Sequence, residues 1–207
     1  MIELFLSAFV SFFVVIDPPG CAPIFYGLTG EATPQQRRSM AIRAVVAATL
    51  ILLGFAWVGE PLLAMLGIDL DSFRIAGGIM LFFIAMEMVF EKRTQRREDR
   101  LQKIRETPEV EDVAIFPMAM PMIAGPGSIA TVMLLMARAQ GMEANLLVLA
   151  ALLANLMLLG AALLAIGPLM RLVGQQVEAV VTRVLGVILA ALAVQFVVDG
   201  LRGSQLF

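Results

Sequence analysis

Two short stretches carry the residues that could do chemistry. Ile16-Asp17-Pro18-Pro19-Gly20-Cys21 lies inside the first hydrophobic run, and Ile123-Ala124-Gly125-Pro126-Gly127-Ser128 lines up with it at a shift of 107 positions. Prolines remove backbone donors and clash with the preceding turn, so a continuous helix must break at each stretch. At membrane depth such a break is tolerated only where protein or a wet cavity satisfies the freed backbone groups. Past each break a half-helix is expected, from about Cys21 and about Ser128, with free N–H groups and a positive dipole end directed inward. Two such ends facing each other would hold a carboxylate or another small anion without any basic side chain. Gly20, Gly125 and Gly127 let backbone approach a ligand closely, and the small Cys21 and Ser128 leave room for it.

Asp17 has no acidic counterpart, since Ala124 takes its place in the second stretch. A lone carboxylate near mid-membrane is expensive and normally marks an ion path, a proton relay or a substrate contact. Contact with a substrate ammonium, or uptake of a coupling proton or sodium ion, is therefore favoured over simple capping of the second half-helix, and the two roles are compatible. Thr131, one turn past the second break, is as apt to bond its own helix as a substrate. Asn155 and Gln195 read first as interhelical hydrogen-bond glue. Asp199 and Arg202 read as an interfacial pair. The candidate substrate- and ion-binding set is Asp17, Pro18, Gly20, Cys21, Gly125, Pro126, Gly127, Ser128, Thr131 and Asn155.

These residues need elements that cross a bilayer, and composition supplies them. Of 207 residues 60% are hydrophobic, and the mean hydropathy is +0.90, far above the globular norm. With no histidine and a single cysteine, His-based catalysis, a His metal cluster and an internal disulfide are excluded. A net charge of −2, without a basic face interleaved with aromatics, leaves nucleic-acid binding unsupported. The N-terminal Met1-Ile2-Glu3-Leu4 lacks the positive region of a signal peptide, so the first segment is expected to remain.

Apolar runs predict spans at about 2–29, 38–59, 72–90, 113–139, 143–167 and 178–201. Thr33 before Pro34 has the form of a helix start. Ala76-Gly77-Gly78 offers a smooth face for close helix packing; Gly186 with Ala190 would serve equally within or between subunits. Residues 91–112 are charged and read as a solvated linker. Pro61-Leu62-Leu63-Ala64-Met65-Leu66-Gly67 recurs as Pro168-Leu169-Met170-Arg171-Leu172-Val173-Gly174 at the same shift of 107, and Arg74-Ile75-Ala76-Gly77-Gly78-Ile79 is echoed by Arg183-Val184-Leu185-Gly186-Val187-Ile188 at 109. Ordered matches of this kind indicate an internal duplication: a first three-segment repeat over 1–90, the linker, and a second over 113–207. Three being odd, the second copy enters from the opposite side, giving the inverted repeat of many secondary transporters. Segments one and four either span as broken helices, the preferred reading, or re-enter as hairpins. Twelve Lys and Arg fall on the side of the 91–112 loop against three on the other in either case, which puts that loop in the cytoplasm.

The two broken motifs, together with Pro23-Ile24-Phe25, Arg74-Ile75-Ala76-Gly77-Gly78-Ile79 and Phe116-Pro117-Met118-Ala119-Met120-Pro121, resemble the MarC family of bacterial inner-membrane proteins over nearly the whole chain. The double proline Pro18-Pro19 departs slightly from the single proline common there. The resemblance implies a six-segment integral membrane protein, grouped with transporters of small neutral amino acids of the glycine and alanine type, without catalytic residues or a cofactor. The expectation is an all-α, non-enzymatic secondary transporter, cation-coupled, in the bacterial inner membrane, whose partners are a small-molecule substrate, H⁺ or Na⁺, and the bilayer; a homo-oligomer is open. Alternatives are an efflux, metal or other small-solute permease, a membrane scaffold, and an intramembrane enzyme using Cys21 or Ser128 beside Asp17.

Overall fold

Prolines open three of the helices, because a residue at the first helical position has no intrahelical use for an N–H. The computed structural model describes residues 1–30, 32–90, 113–167 and 175–204. In it α1 (Ile2–Ile16) ends at Asp17 and α2 (Pro18–Leu28) begins at once; together they form one apolar span of 27 residues. The long α3 (Pro34–Met65) follows, then α4 (Leu70–Val89). In the second half come the irregular α5 (Ala114–Ile123), α6 (Pro126–Arg138), α7 (Met142–Leu164) and α8 (Gln175–Gly203). All described elements are helical, five spans are long and apolar enough to cross a membrane, and α5 with α6, bent by 52°, makes a sixth if it counts as one.

The second segment is longer at both ends than the expected 38–59. Thr33 accepts from the Gln36 N–H at 3.3 Å while the Gln36 side chain accepts from the Thr33 N–H at 2.9 Å, a reciprocal cap that starts the helix ahead of its apolar run. At its far end α3 runs through Pro61 to Met65. The fourth segment departs further from expectation. Phe116 and Met120 are extended, each precedes a cis proline, and the bonds are of the wider i to i+5 kind, Met118 N–H to Val113 and Ala124 N–H to Ala119. Residues before proline are pushed out of the helical region, so Pro117 and Pro121 deny this stretch a regular α-helix. The 91–112 linker lies outside the described residues.

Lipid supplies no hydrophobic drive between helices, so close backbone approach and dispersion must hold them. α4 and α8 form the most extensive pairing. A methyl group on Gly78 would lie 2.7 Å from the Ala193 carbonyl oxygen, and one on Gly186 would lie 2.9 Å from Met88 Cβ; both glycines serve packing within this chain. Around that pair gathers one buried cluster, with Val14, Val15, Leu81, Leu134, Leu189 and Phe196. A second cluster joins α1, α2, α3, α5 and α7 through Phe12, Phe25, Leu52, Met118 and Leu152. Between helices the remaining contacts come in matched sets: the first segment packs along α7 as the fourth packs along α3, and α8 touches the first segment as α4 touches the fourth.

Two expected pairings are corrected. Asp199 accepts from Arg138 on α6 and from Gln195 one turn back on α8, so its cationic partner is Arg138 rather than Arg202. Gln195 accordingly bonds within its own helix instead of across helices. Arg138 also lies over the Phe196 ring, 5.1 Å from its centre, a combination that sequence spacing alone does not reveal.

Candidate functional site

At the first break one residue closes one helix and opens the next. Asp17 sits at φ 55°, ψ 63°, the left-handed region that Asp and Asn tolerate better than most residues. Its N–H donates to Phe13 at 3.0 Å, ending α1. Its carbonyl accepts from Gly20 and Cys21, and its carboxylate Oδ1 accepts from the Gly20 N–H at 3.1 Å. Because Pro18 and Pro19 have no N–H, these bonds absorb the leading donors of α2. The Cys21 thiol donates to the Ile16 carbonyl at 3.2 Å, satisfying an acceptor that the break sets free. Helix α2 thus starts at Pro18, three residues before the expected Cys21, and its N-terminal donors are taken by Asp17.

The second break is built differently. Gly125 is the N-cap of α6 and offers no side chain. A methyl there would fall 2.3 Å from the Pro121 carbonyl oxygen, so only glycine lets the chain turn this tightly. Pro126 is again the first helical residue, two positions ahead of the expected Ser128. Ile129 N–H bonds the Gly125 carbonyl at 3.0 Å, and the Thr131 hydroxyl donates to the Gly127 carbonyl at 2.8 Å. Thr131 therefore bonds its own helix. No side chain caps the first N–H groups of α6, at Gly127 and Ser128. Matched by cap position, the counterpart of Asp17 is Gly125.

Asp17, Cys21, Thr131 and Asn155 are fully buried, Ser128 is 3% exposed, and Gly20, Pro18, Gly125 and Gly127 are buried while Pro126 is exposed. The breaks adjoin each other: a methyl on Gly127 would lie 3.4 Å from Val15 of α1, 3.1 Å from Leu81 and 3.0 Å from Ile84 of α4. Asn155 is placed apart. Its amide donates to the Phe9 carbonyl at 2.9 Å and to Ala151 at 3.1 Å, and Phe9 is eight residues, about 12 Å, up α1 from Asp17. It fastens α7 to α1, the glue role that its residue type suggested. Among the described residues, no group of three or more His, Cys, Asp and Glu side chains is placed to hold a metal ion.

Sequence reasoning passed over two cavities away from the breaks. One of about 710 Å³ lies between the ends of α3, α6 and α7, with Trp57, Glu60, Met133 and Asn145 in its wall. The other, about 490 Å³, lies at the opposite ends of α3 and α7, with Arg37, Arg38 and Leu163. Arg37 is held in place, donating to the Thr29 hydroxyl at 3.0 Å and carbonyl at 2.7 Å and lying 5.1 Å from the Tyr26 ring centre. The signal that was available is the break of hydropathy at Glu60-Pro61 and at Arg37-Arg38.

Residues 2–205 match the profile of the MarC family of integral membrane proteins. The UPF0056 membrane protein MJ1677 of Methanocaldococcus jannaschii is 37% identical over 205 residues, 99% of each chain. The inner membrane protein YhgN of Escherichia coli is 33% identical, covering 95% of each chain. The membrane protein YhcE of Escherichia coli is 31% identical over 97% of this chain and 93% of its own. No solved structure matches. With its multi-pass helical fold and these relatives, the chain belongs to the MarC family of integral membrane proteins.

Proposed function

We propose that the protein is a cation-coupled secondary transporter of a small polar solute, a neutral amino acid of the glycine and alanine size. It catalyses no covalent reaction, sits in the inner membrane with residues 91–112 on the cytoplasmic side, and is built as two inverted three-segment repeats. The observation that carries the reading is the pair of adjoining helix breaks, buried at mid-span, where a fully buried carboxylate stands at one break and an uncapped helix start stands at the other. Irregular backbone and buried charge at membrane depth mark transport sites.

The two ends divide the work. Asp17 fills the N-terminus of α2, so the anion site is the start of α6, where the Gly127 and Ser128 N–H groups meet the substrate carboxylate. Asp17 then serves the substrate ammonium or the coupling cation. Support for the repeat comes from the matched packing of first segment on α7 and fourth on α3. Two separately packed clusters meet at the breaks, which suits a rocking movement of one group of helices against the other. An intramembrane nucleophile is disfavoured, because the Cys21 thiol is committed to the Ile16 carbonyl.

The test is uptake of radiolabelled glycine and alanine into liposomes holding purified protein, with a proton or sodium gradient imposed. Accumulation above the gradient-free level is expected under one of them. Absence of uptake of both solutes under every gradient would overturn the amino acid assignment.

A further inference from the structure

We infer that the two cavities are the paired entrances of one transport path, related to each other by the internal repeat and opening on opposite faces of the membrane. The inference rests on the transporter reading and adds to it where the solute enters and leaves.

The shift of 107 that relates the two breaks also relates the two cavity walls. It carries Pro34 onto Gly141, Arg38 onto Asn145 and Ala56 onto Leu163, and in every pair one member lines each cavity. The same shift carries Trp57 onto Leu164 and Glu60 onto Gly167, again one in each wall. Five of the seven residues around the smaller cavity thus have their mates around the larger one. In an inverted repeat, mates lie on opposite sides of the membrane, at equal depth from the centre.

Chemistry differs where geometry agrees. The larger mouth carries the Glu60 carboxylate beside Asn145; the carboxylate is an acceptor suited to an ammonium group. The smaller mouth carries Arg38, beside an Arg37 already bonded to Thr29, and so presents a cationic donor suited to a carboxylate. A small zwitterion is met by one of its ends at each mouth. Met133 reaches from α6 to the wall of the larger cavity and would touch a methyl on Gly59 at 2.6 Å, so α6, which starts at the second break, also lines that entrance.

Asn145→Cys and Arg38→Cys are made singly and together in the full chain, and labelled in oriented vesicles with a membrane-impermeant maleimide. Cys21, the one native thiol, is fully buried and sets the background in the parent protein. The two positions are expected to label from opposite sides, and a bulky adduct at 145 is expected to slow labelling at 38 about tenfold by making the inward-open form a minor state. Labelling of both from one side, or rates at 38 indifferent to an adduct at 145, would overturn the inference. Should the arginine variant fail to assemble, the mate pair Glu60→Cys and Gly167→Cys repeats the test; a side chain at 167 meets nothing within 4 Å. None of these readouts uses a transported solute, so failure of the glycine and alanine assay leaves the labelling result standing.

Discussion

Replacing Asp17 separates its structural role from its charge. In Asp17→Ala the cap on the Gly20 N–H is lost, which costs about 1 kcal/mol. Alanine must also adopt the left-handed conformation at φ 55°, which Asp tolerates several-fold better, adding up to about 1 kcal/mol. The sum is about 1–2 kcal/mol. At about 2–4 °C per kcal/mol for a chain of this size, the midpoint of thermal unfolding should fall by about 2–8 °C. Asp17→Asn keeps an acceptor oxygen in the capping position and a residue type that tolerates the left-handed region, so its loss should stay within about 0.5 kcal/mol, since Asn and Asp rank alike as caps. Asp17→Gly relieves the backbone but not the cap and should fall between them. The assay is thermal unfolding of purified protein in one detergent, followed by loss of the monodisperse peak. An alanine variant as stable as the parent, or an asparagine variant as unstable as the alanine one, would refute the argument that Asp17 holds the break together through its cap and its backbone.

Elsewhere the packing supports equally direct expectations. Gly78→Ala should loosen α4 from α8 and cost about 2–3 kcal/mol, because the new methyl meets the Ala193 carbonyl oxygen together with the backbone N and Cγ2 of Val197; unchanged thermal stability would contradict that packing. Asn155→Ala removes the bond to Phe9 and should cost about 0.6–1.7 kcal/mol, while solute uptake keeps its ion dependence. Thr33→Ala breaks the reciprocal cap with Gln36 and should cost about 1 kcal/mol, read as faster hydrogen exchange over the first turn of α3.

What could be read from the chain alone followed from features that act locally. Hydropathy located the spans, and prolines at 18 and 126 located the breaks, since a missing N–H has the same consequence in any surroundings. Helix ends were placed less well. Thr33 before Pro34 marked the start of α3 correctly although the apolar window missed its charged first turn, whereas Pro18 and Pro126 begin their helices three and two residues ahead of the expected Cys21 and Ser128. The bond from Asn155 to α1 agreed with its residue type, but its separation from Asp17 depends on how α7 slides along α1, which no local signal encodes. Arg138 found Asp199 across 61 positions, a pairing that only the folded arrangement of α6 and α8 determines.

The central claim is that Asp17 couples a cation to movement of a small solute through the paired breaks. Its most direct test is gradient-driven uptake of glycine and alanine by wild-type protein and by folded Asp17→Asn, reconstituted at equal density. The account predicts accumulation in the wild type under a proton or sodium gradient and none in the variant. Equal gradient-driven accumulation by the two proteins would contradict it, because a neutral amide at position 17 would then do everything the carboxylate does.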